Sequence, residues 1–200
     1  MSAMRIIRYV LWAAVVVLLV AVGLLYYLRD NGTAPLIAGA NIGGPFSLVD
    51  QNGNTVTEAS LKGHPSAMFF GYTFCPDICP TTLYDMTELM QALGPDADKL
   101  KVYFVSVDPE RDTQEVMAEY ISAFDPRFTG LTGTREQVDQ IVSAYRVYAR
   151  KVDREKGPYL MDHTATVYLL DDEGQFTGTL DYHEASETAL AKLKRLIGTS

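Results

Sequence analysis

Hydrophobic positions along this 200-residue chain follow two different patterns. From Val10 to Leu28, nineteen consecutive residues carry no formal charge, and only Trp12 near one end and Tyr26 and Tyr27 near the other break the small and aliphatic run. A helix of that length rises about 28 Å, close to the hydrocarbon thickness of a bilayer. A buried core helix would normally keep a polar face, so the pattern predicts a transmembrane anchor over 10–28. Downstream, apolar residues come instead in short runs and helical stripes divided by Gly, Pro, Asn and Asp.

Residues 29–42 read as a linker, with Gly32, Pro35 and Gly39 and no sustained apolar period, and a domain is expected over 43–198. Phe46 to Leu48 and Thr55 to Thr57 are strand-like pieces around Asn52-Gly53, a strong hairpin dipeptide. Ala67 to Phe70 is a continuous apolar run, as in strands buried on both faces. A helix should follow. Pro80 suits its first position, Leu83, Met86, Leu89, Met90 and Leu93 recur at helical spacing, and Gly94-Pro95 stops it. Val102 to Val107 reads as a second buried strand, and Val116, Met117, Tyr120, Ile121 and Phe124 as a helical stripe. Thr134 and Gln137 form a capping box ahead of Val138, Ile141, Val142 and Tyr145. Asp153 to Pro158 reads as a polar loop. Ala165–Leu170 and Gln175–Leu180 then flank Asp171 to Gly174 as a hairpin, and Leu190, Leu193, Leu196 and Ile197 form a last helix ending at Gly198. This order predicts an α/β domain with a mixed sheet.

Charge places the domain. Arg5 and Arg8 precede the apolar run with no acidic neighbour, whereas Arg29 is followed at once by Asp30, so residues 1–9 are expected in the cytoplasm. A cleaved signal peptide is the rival, with Ala38-Gly39-Ala40 as a small-residue site, but that tripeptide lies some ten residues beyond a run already too long for one. The expectation is a single-pass protein of a bacterial cytoplasmic membrane, its domain facing the periplasm. The chain carries a net charge of −8, and setting aside Arg5, Arg8, Arg29 and Asp30 leaves residues 31–200 at about −10. Such a surface repels a phosphate backbone and argues against nucleic acid as a partner.

The chemistry gathers at the only two cysteines, in Cys75-Pro-Asp-Ile-Cys79-Pro80. They follow a buried strand and open a helix, where α/β sheets present ligands. A sulfur at a helix N-terminus meets orphan N–H donors and the positive end of the dipole, which favour the thiolate that binds metals or attacks disulfides. Two soft thiolates four positions apart suit Cu(I), with an imidazole completing a trigonal site. The bland alternative is a structural disulfide, but closing five residues would stabilise by only about 2 kcal/mol.

The segment Phe70-Gly-Tyr-Thr-Phe-Cys75-Pro-Asp-Ile-Cys79-Pro-Thr-Thr-Leu83 resembles the signature of the Sco/SenC family of copper proteins. Val105-Ser-Val-Asp-Pro-Glu-Arg-Asp112, Phe124-Asp-Pro-Arg-Phe128 and Asp162-His163-Thr164 also match its pattern, and the similarity runs from about Gly43 to Ile197. The resemblance implies a thioredoxin-like fold that carries Cu(I) or Cu(II) on Cys75, Cys79 and His163. It implies a copper chaperone for the dinuclear copper centre of cytochrome c oxidase subunit II, working with other periplasmic copper carriers or thiol reductases.

Position singles out His163 among three histidines. It comes just before the Ala165–Leu170 strand, whose approach in a thioredoxin-like sheet lies beside the first helix's N-terminus, whereas His64 beside Pro65 and His183 beside Glu184 read as turn or surface residues. Met161 reads as packing, and Asp77 and Asp162 as neighbours able to tune the ligands. The rival function is enzymatic: a thiol–disulfide oxidoreductase that reduces the copper-site cysteines of the same subunit, with Cys75 and Cys79 redox-active. Three residues between the cysteines, rather than the two of thioredoxin-like reductases, weigh against it. A peroxidase is disfavoured because Met68 and Tyr72 stand where the peroxiredoxin pattern needs Pro and Thr.

Overall fold

The computed structural model describes Tyr9, residues 11–20 and residues 42–199, and the chain separates into the compact units Met1–Ala40 and Asn41–Ser200. In the first, Tyr9 and residues 11–20 are helical, with Leu11, Trp12 and Val15 to Val20 exposed. Of the expected anchor 10–28, residues 10 and 21–28 lie outside the described residues, as do 29–41 of the linker 29–42 and 1–8 of the N-terminus 1–9. Among the described residues, no helix is long and apolar enough to cross a membrane.

The second unit is built on a seven-stranded mixed sheet. Its strands are β1 (Ser47–Asp50), β2 (Thr55–Thr57), β3 (Ser66–Gly71), β4 (Lys101–Ser106), β5 (Phe128–Thr132), β8 (Val167–Leu170) and β9 (Phe176–Leu180), in the spatial order β2-β1-β5-β4-β3-β8-β9. β3, β4 and β5 run parallel, and the remaining pairs are antiparallel. Every residue of β3 is buried, because neighbouring strands flank it on both edges and packing covers both faces. That is why its apolar run shows no alternation.

Helix α1 (Ile78–Leu93) connects β3 to β4, α2 (Gln114–Ile121) connects β4 to β5, α3 (Arg135–Ala144) follows β5, and α4 (Ser186–Leu196) ends the domain. α1 buries Cys79, Leu83, Met86, Leu89, Met90 and Leu93 on one stripe and packs against α4. It begins two residues before the expected Pro80. Proline is tolerated there because first-turn N–H groups have no intrahelical partner to lose. Gly94, at φ 59°, ends the helix in a conformation that costs glycine little. The Thr134–Gln137 box forms as expected: Gln137 N donates to Thr134 Oγ1 at 3.3 Å, and Thr134 N donates to Gln137 Oε1 at 2.8 Å.

Between α3 and β8 the chain makes a separate two-stranded hairpin, β6 (Ala149–Val152) and β7 (Leu160–His163), around the exposed loop 153–158. The sequence pattern showed its loop but neither strand. Ala149 pairs with His163, the last residue of β7, so this histidine sits in a strand rather than in the approach to the next.

Candidate metal centre

The site forms at the C-terminal end of β3. Gly71 ends the strand, and a Cβ there would stand 2.6 Å from the Phe104 ring and 2.8 Å from Cys79 Sγ. Only a residue without a side chain leaves room for the sulfur. The chain then turns through Tyr72 to Asp77, with Cys75 N donating to Tyr72 O at 3.2 Å, and enters α1.

A buried carboxylate holds this loop from below. Asp112 is fully buried and accepts Thr73 Oγ1–H and Ser106 Oγ–H, each at 2.6 Å, as well as the Thr73 backbone N–H. Burial pushes its carboxyl upward in pKa, opposed by the bonds from Ser106 and Thr73.

Asp77 occupies the N-cap of α1, yet its side chain makes no capping bond. Cys75 takes over that function: its sulfur accepts the N–H of Cys79 at 3.4 Å, one of the orphan donors of the first turn. Cys79 itself is fully buried, while Cys75 is half-buried.

The hairpin brings in the third donor. Cys79 Sγ lies 3.4 Å from His163 Nε2, and one donor atom from each of Cys75, Cys79 and His163 falls within 4.8 Å of the others. His163 Nδ1 is 2.9 Å from the Thr164 carbonyl oxygen, which only accepts, so the ring proton belongs on Nδ1 and Nε2 offers its lone pair to the sulfurs. Edge-on contacts with Phe69 and Tyr72, at 6.1 and 5.8 Å between ring centres, fix the imidazole plane.

The two sulfurs hold one proton between them. Cys75 is drawn down to about 3, foremost by the hydrogen bond from the Cys79 thiol, against the cost of burial and with help from the backbone N–H groups of Asp77 and Cys79. Cys79 is pushed up because it donates that bond, is buried and faces the Cys75 charge. The helix terminus therefore yields one thiolate and one thiol. Two adjacent sulfurs in a poorly solvated site do not both carry charge without a cation. Two soft sulfurs and one imidazole nitrogen are a donor set that fits a three-coordinate soft metal ion.

His64 bonds Ser66 at 3.3 Å at the opposite end of β3, and His183 stacks on Tyr182 in the turn before α4. Neither joins the site. Met161 packs in the core, Asp162 is exposed, and neither Asp77 nor Asp162 places a carboxylate hydrogen bond on a ligand. Among the described residues one other group has metal-like spacing, Asp171, Asp172 and Glu173, but Asp171 is engaged in its own turn, accepting the N–H groups of Glu173 and Gln175. Asp112 and Gly71 escaped the sequence reading. Both stood inside quoted motifs, but nothing in a motif says which residue supports a loop and which makes room for a sulfur.

The SCO1/SenC family model matches residues 35–198. The chain belongs to the SCO1/SenC family. Among relatives of this Sco chain, a SCO2-like protein of Rickettsia prowazekii is 39% identical over 170 residues, covering 80% of this chain and 83% of the relative. The mitochondrial SCO1 homolog of Homo sapiens is 42% identical over 147 residues, covering 70% of this chain and 47% of its own length. The structure of Bradyrhizobium japonicum ScoI with copper bound superposes with a TM-score of 0.73 at 51% identity, covering 78% of this chain and 99% of that one. Copper-bound yeast Sco1 gives a TM-score of 0.73 at 36% identity, covering 80% and 91%. The mixed sheet and its helices are thus the thioredoxin-like fold of Sco proteins.

Proposed function

We propose that this chain binds copper through Cys75, Cys79 and His163 and delivers it during assembly of cytochrome c oxidase, to the dinuclear copper centre of subunit II. The observation that carries this reading is the convergence of three donor atoms from two separate elements, with the histidine tautomer set so that Nε2 faces the sulfurs. Copper-bound structures of Sco relatives support the choice of metal. Residues 10–28 anchor the chain in a bacterial cytoplasmic membrane, 29–42 form a linker, and the domain over 43–198 works in the periplasm.

The chain's own residues prepare the exchange. Cys75 already presents a thiolate, half-exposed at the loop, and so meets incoming copper first. Cys79 must lose its proton as the ion settles, and His163 adds a neutral donor that leaves the net charge of the site unchanged. Asp112 and the α1 terminus hold the loop in place throughout, which lowers the entropy lost on binding. A partner bearing its own thiolates takes the ion by replacing these donors one at a time, beginning at the half-exposed Cys75.

A second reading, reduction of the partner's copper-site cysteines, is favoured by one feature: a low-pKa thiolate stands beside a protonated thiol, the pair that disulfide exchange requires. Oxidase assembly separates the two. In a host lacking its own family member, Cys75→Ser, Cys79→Ser and His163→Ala should each abolish rescue of oxidase activity. Full rescue by His163→Ala alongside failure of Cys75→Ser would instead make the chain a reductase, since exchange needs the sulfurs and not the imidazole.

A further inference from the structure

The residues that hold His163 over the cysteines converge on Arg111, in the loop between β4 and α2. Its guanidinium lies 3.6 Å from the ring centre of Tyr159, in the segment leading into β7, and its Nη1 donates to the Tyr159 carbonyl at 3.0 Å. The same group lies 4.9 Å from the Phe74 ring and 5.6 Å from the Tyr72 ring, in the loop that carries Cys75. Asp108 closes the arrangement by accepting from Arg111 Nε and from the Tyr159 hydroxyl, the latter at 2.8 Å. Both charges are largely withdrawn from water: the Arg111 side chain is 15% exposed and that of Asp108 1%. The Tyr159 ring also meets Lys151, whose Nζ lies 4.1 Å from the ring centre, so two cations contact it.

We propose that Arg111 is the positioning residue of His163, clasping the β6–β7 hairpin to the cysteine loop and so setting the distance between the imidazole and the two sulfurs. The inference rests on the copper-site reading above and adds to it the part that fixes the third ligand. The hairpin pairs with no strand of the main sheet, its two strands forming a sheet of their own, so backbone pairing does not set its position against the cysteines. Side-chain contacts must, and Arg111 makes them to both sides at once. His163 is only four residues beyond Tyr159 in an extended segment, too short a distance to absorb much movement. A planar fork is needed, because one group has to stack on a ring while bonding a carboxylate and a carbonyl in different directions.

The test compares Arg111→Met and Arg111→Lys with the parent full chain in detergent, using Tyr159→Leu as a second route to the same break should Arg111→Met not fold. Hydrogen exchange of the amides over 149–163 in the metal-free chain reads the clasp without copper. The spectrum of added Cu(II), with His163→Ala as reference, reads its effect on the ligand. Arg111→Met and Tyr159→Leu should speed exchange in the hairpin while leaving β3 and β4 protected. They should shift the paramagnetic resonance signal toward that of His163→Ala and weaken copper retention about 10-fold. Arg111→Lys should not restore the parent values, since an ammonium lacks the planar fork. Hairpin exchange and Cu(II) signal both unchanged in Arg111→Met, or full restoration by lysine, would overturn the proposal. Faster hairpin exchange in a chain whose parent form retains no copper would instead leave the clasp standing and refute the copper reading.

Discussion

The sulfur of Cys79 lies against the Cα of Gly71 so closely that a methyl group on the glycine would stand 2.8 Å from it. The contact is far tighter than ordinary van der Waals separation, and the Phe104 ring would stand 2.6 Å from the same methyl group. A side chain at position 71 must therefore move either the aromatic core or the buried sulfur.

Gly71→Ala is expected to destabilise the domain by about 1–3 kcal/mol through overpacking. It should also weaken copper retention beyond what that loss explains, because the displaced atom is a proposed ligand. Denaturant unfolding of the metal-free chain reads the first effect and competition for copper with a chelator the second. Unchanged affinity in a destabilised variant would mean that the core yields and the sulfur stays.

Asp112→Asn tests the support beneath the cysteine loop. The carboxylate receives hydroxyl donors on both oxygens, so an amide turns at least one donor against another and leaves a buried group unsatisfied. A loss of about 1–3 kcal/mol in folding stability is expected. Amide exchange at Thr73 and in the following loop should rise. Protection at Thr73 equal to the parent would remove Asp112 from this role.

The proton shared by the cysteines makes their reactivity unequal. The thiolate is the attacking form, and Cys75 is drawn down to about 3, so alkylation of the metal-free reduced chain should hardly slow between about pH 8 and about pH 5. A model thiol near 8.5 would slow about tenfold per unit over the same range. Cys79, pushed up and buried, should react far more slowly, so the fast phase should consume one thiol per chain. Mass analysis of the alkylated peptide identifies which. A fast phase of two thiols, or one that titrates near 8.5, would contradict the shared-proton arrangement.

Copper binding should then release protons in a countable way. Cys75 has none to give near neutrality and Cys79 has one, so uptake of Cu(I) at about pH 7.5 should release about one proton per ion. The sign follows: affinity falls as pH falls, about tenfold per unit, because acid restores the Cys79 proton. Release of two protons, measured by titration in weakly buffered solution, would show that both cysteines begin as thiols.

How much of this was legible in the sequence depended on what each residue contacts. β3 and β4 could be read because strands buried on both faces need continuous apolar runs, and the Thr134–Gln137 box because both of its bonds are local. β5 was not read: Phe-Thr-Gly-Leu-Thr interleaves polar and small residues, although the sheet surrounds it. β6 and β7 were not read because Ala-Arg-Lys-Val and Leu-Met-Asp-His lack strand alternation and, among the described residues, the pair has no sheet neighbours to cover it. Cys75, Cys79 and His163 were singled out by spacing, by position and by resemblance. Their supports were not, because Asp112 with Thr73 and Arg111 with Tyr159 act across 39 and 48 residues of sequence.

The central claim is that Cys75, Cys79 and His163 together hold copper, and metal analysis of the reduced chain after copper exposure and exhaustive dialysis tests it most directly. The parent should retain about one copper per chain, as a single three-donor site allows. Cys75→Ser, Cys79→Ser and His163→Ala should each lower that figure, while His64→Ala and His183→Ala, whose rings lie outside the site, should leave it unchanged. Retention lost with His183→Ala but kept with His163→Ala, or kept in both cysteine variants, would contradict the assignment.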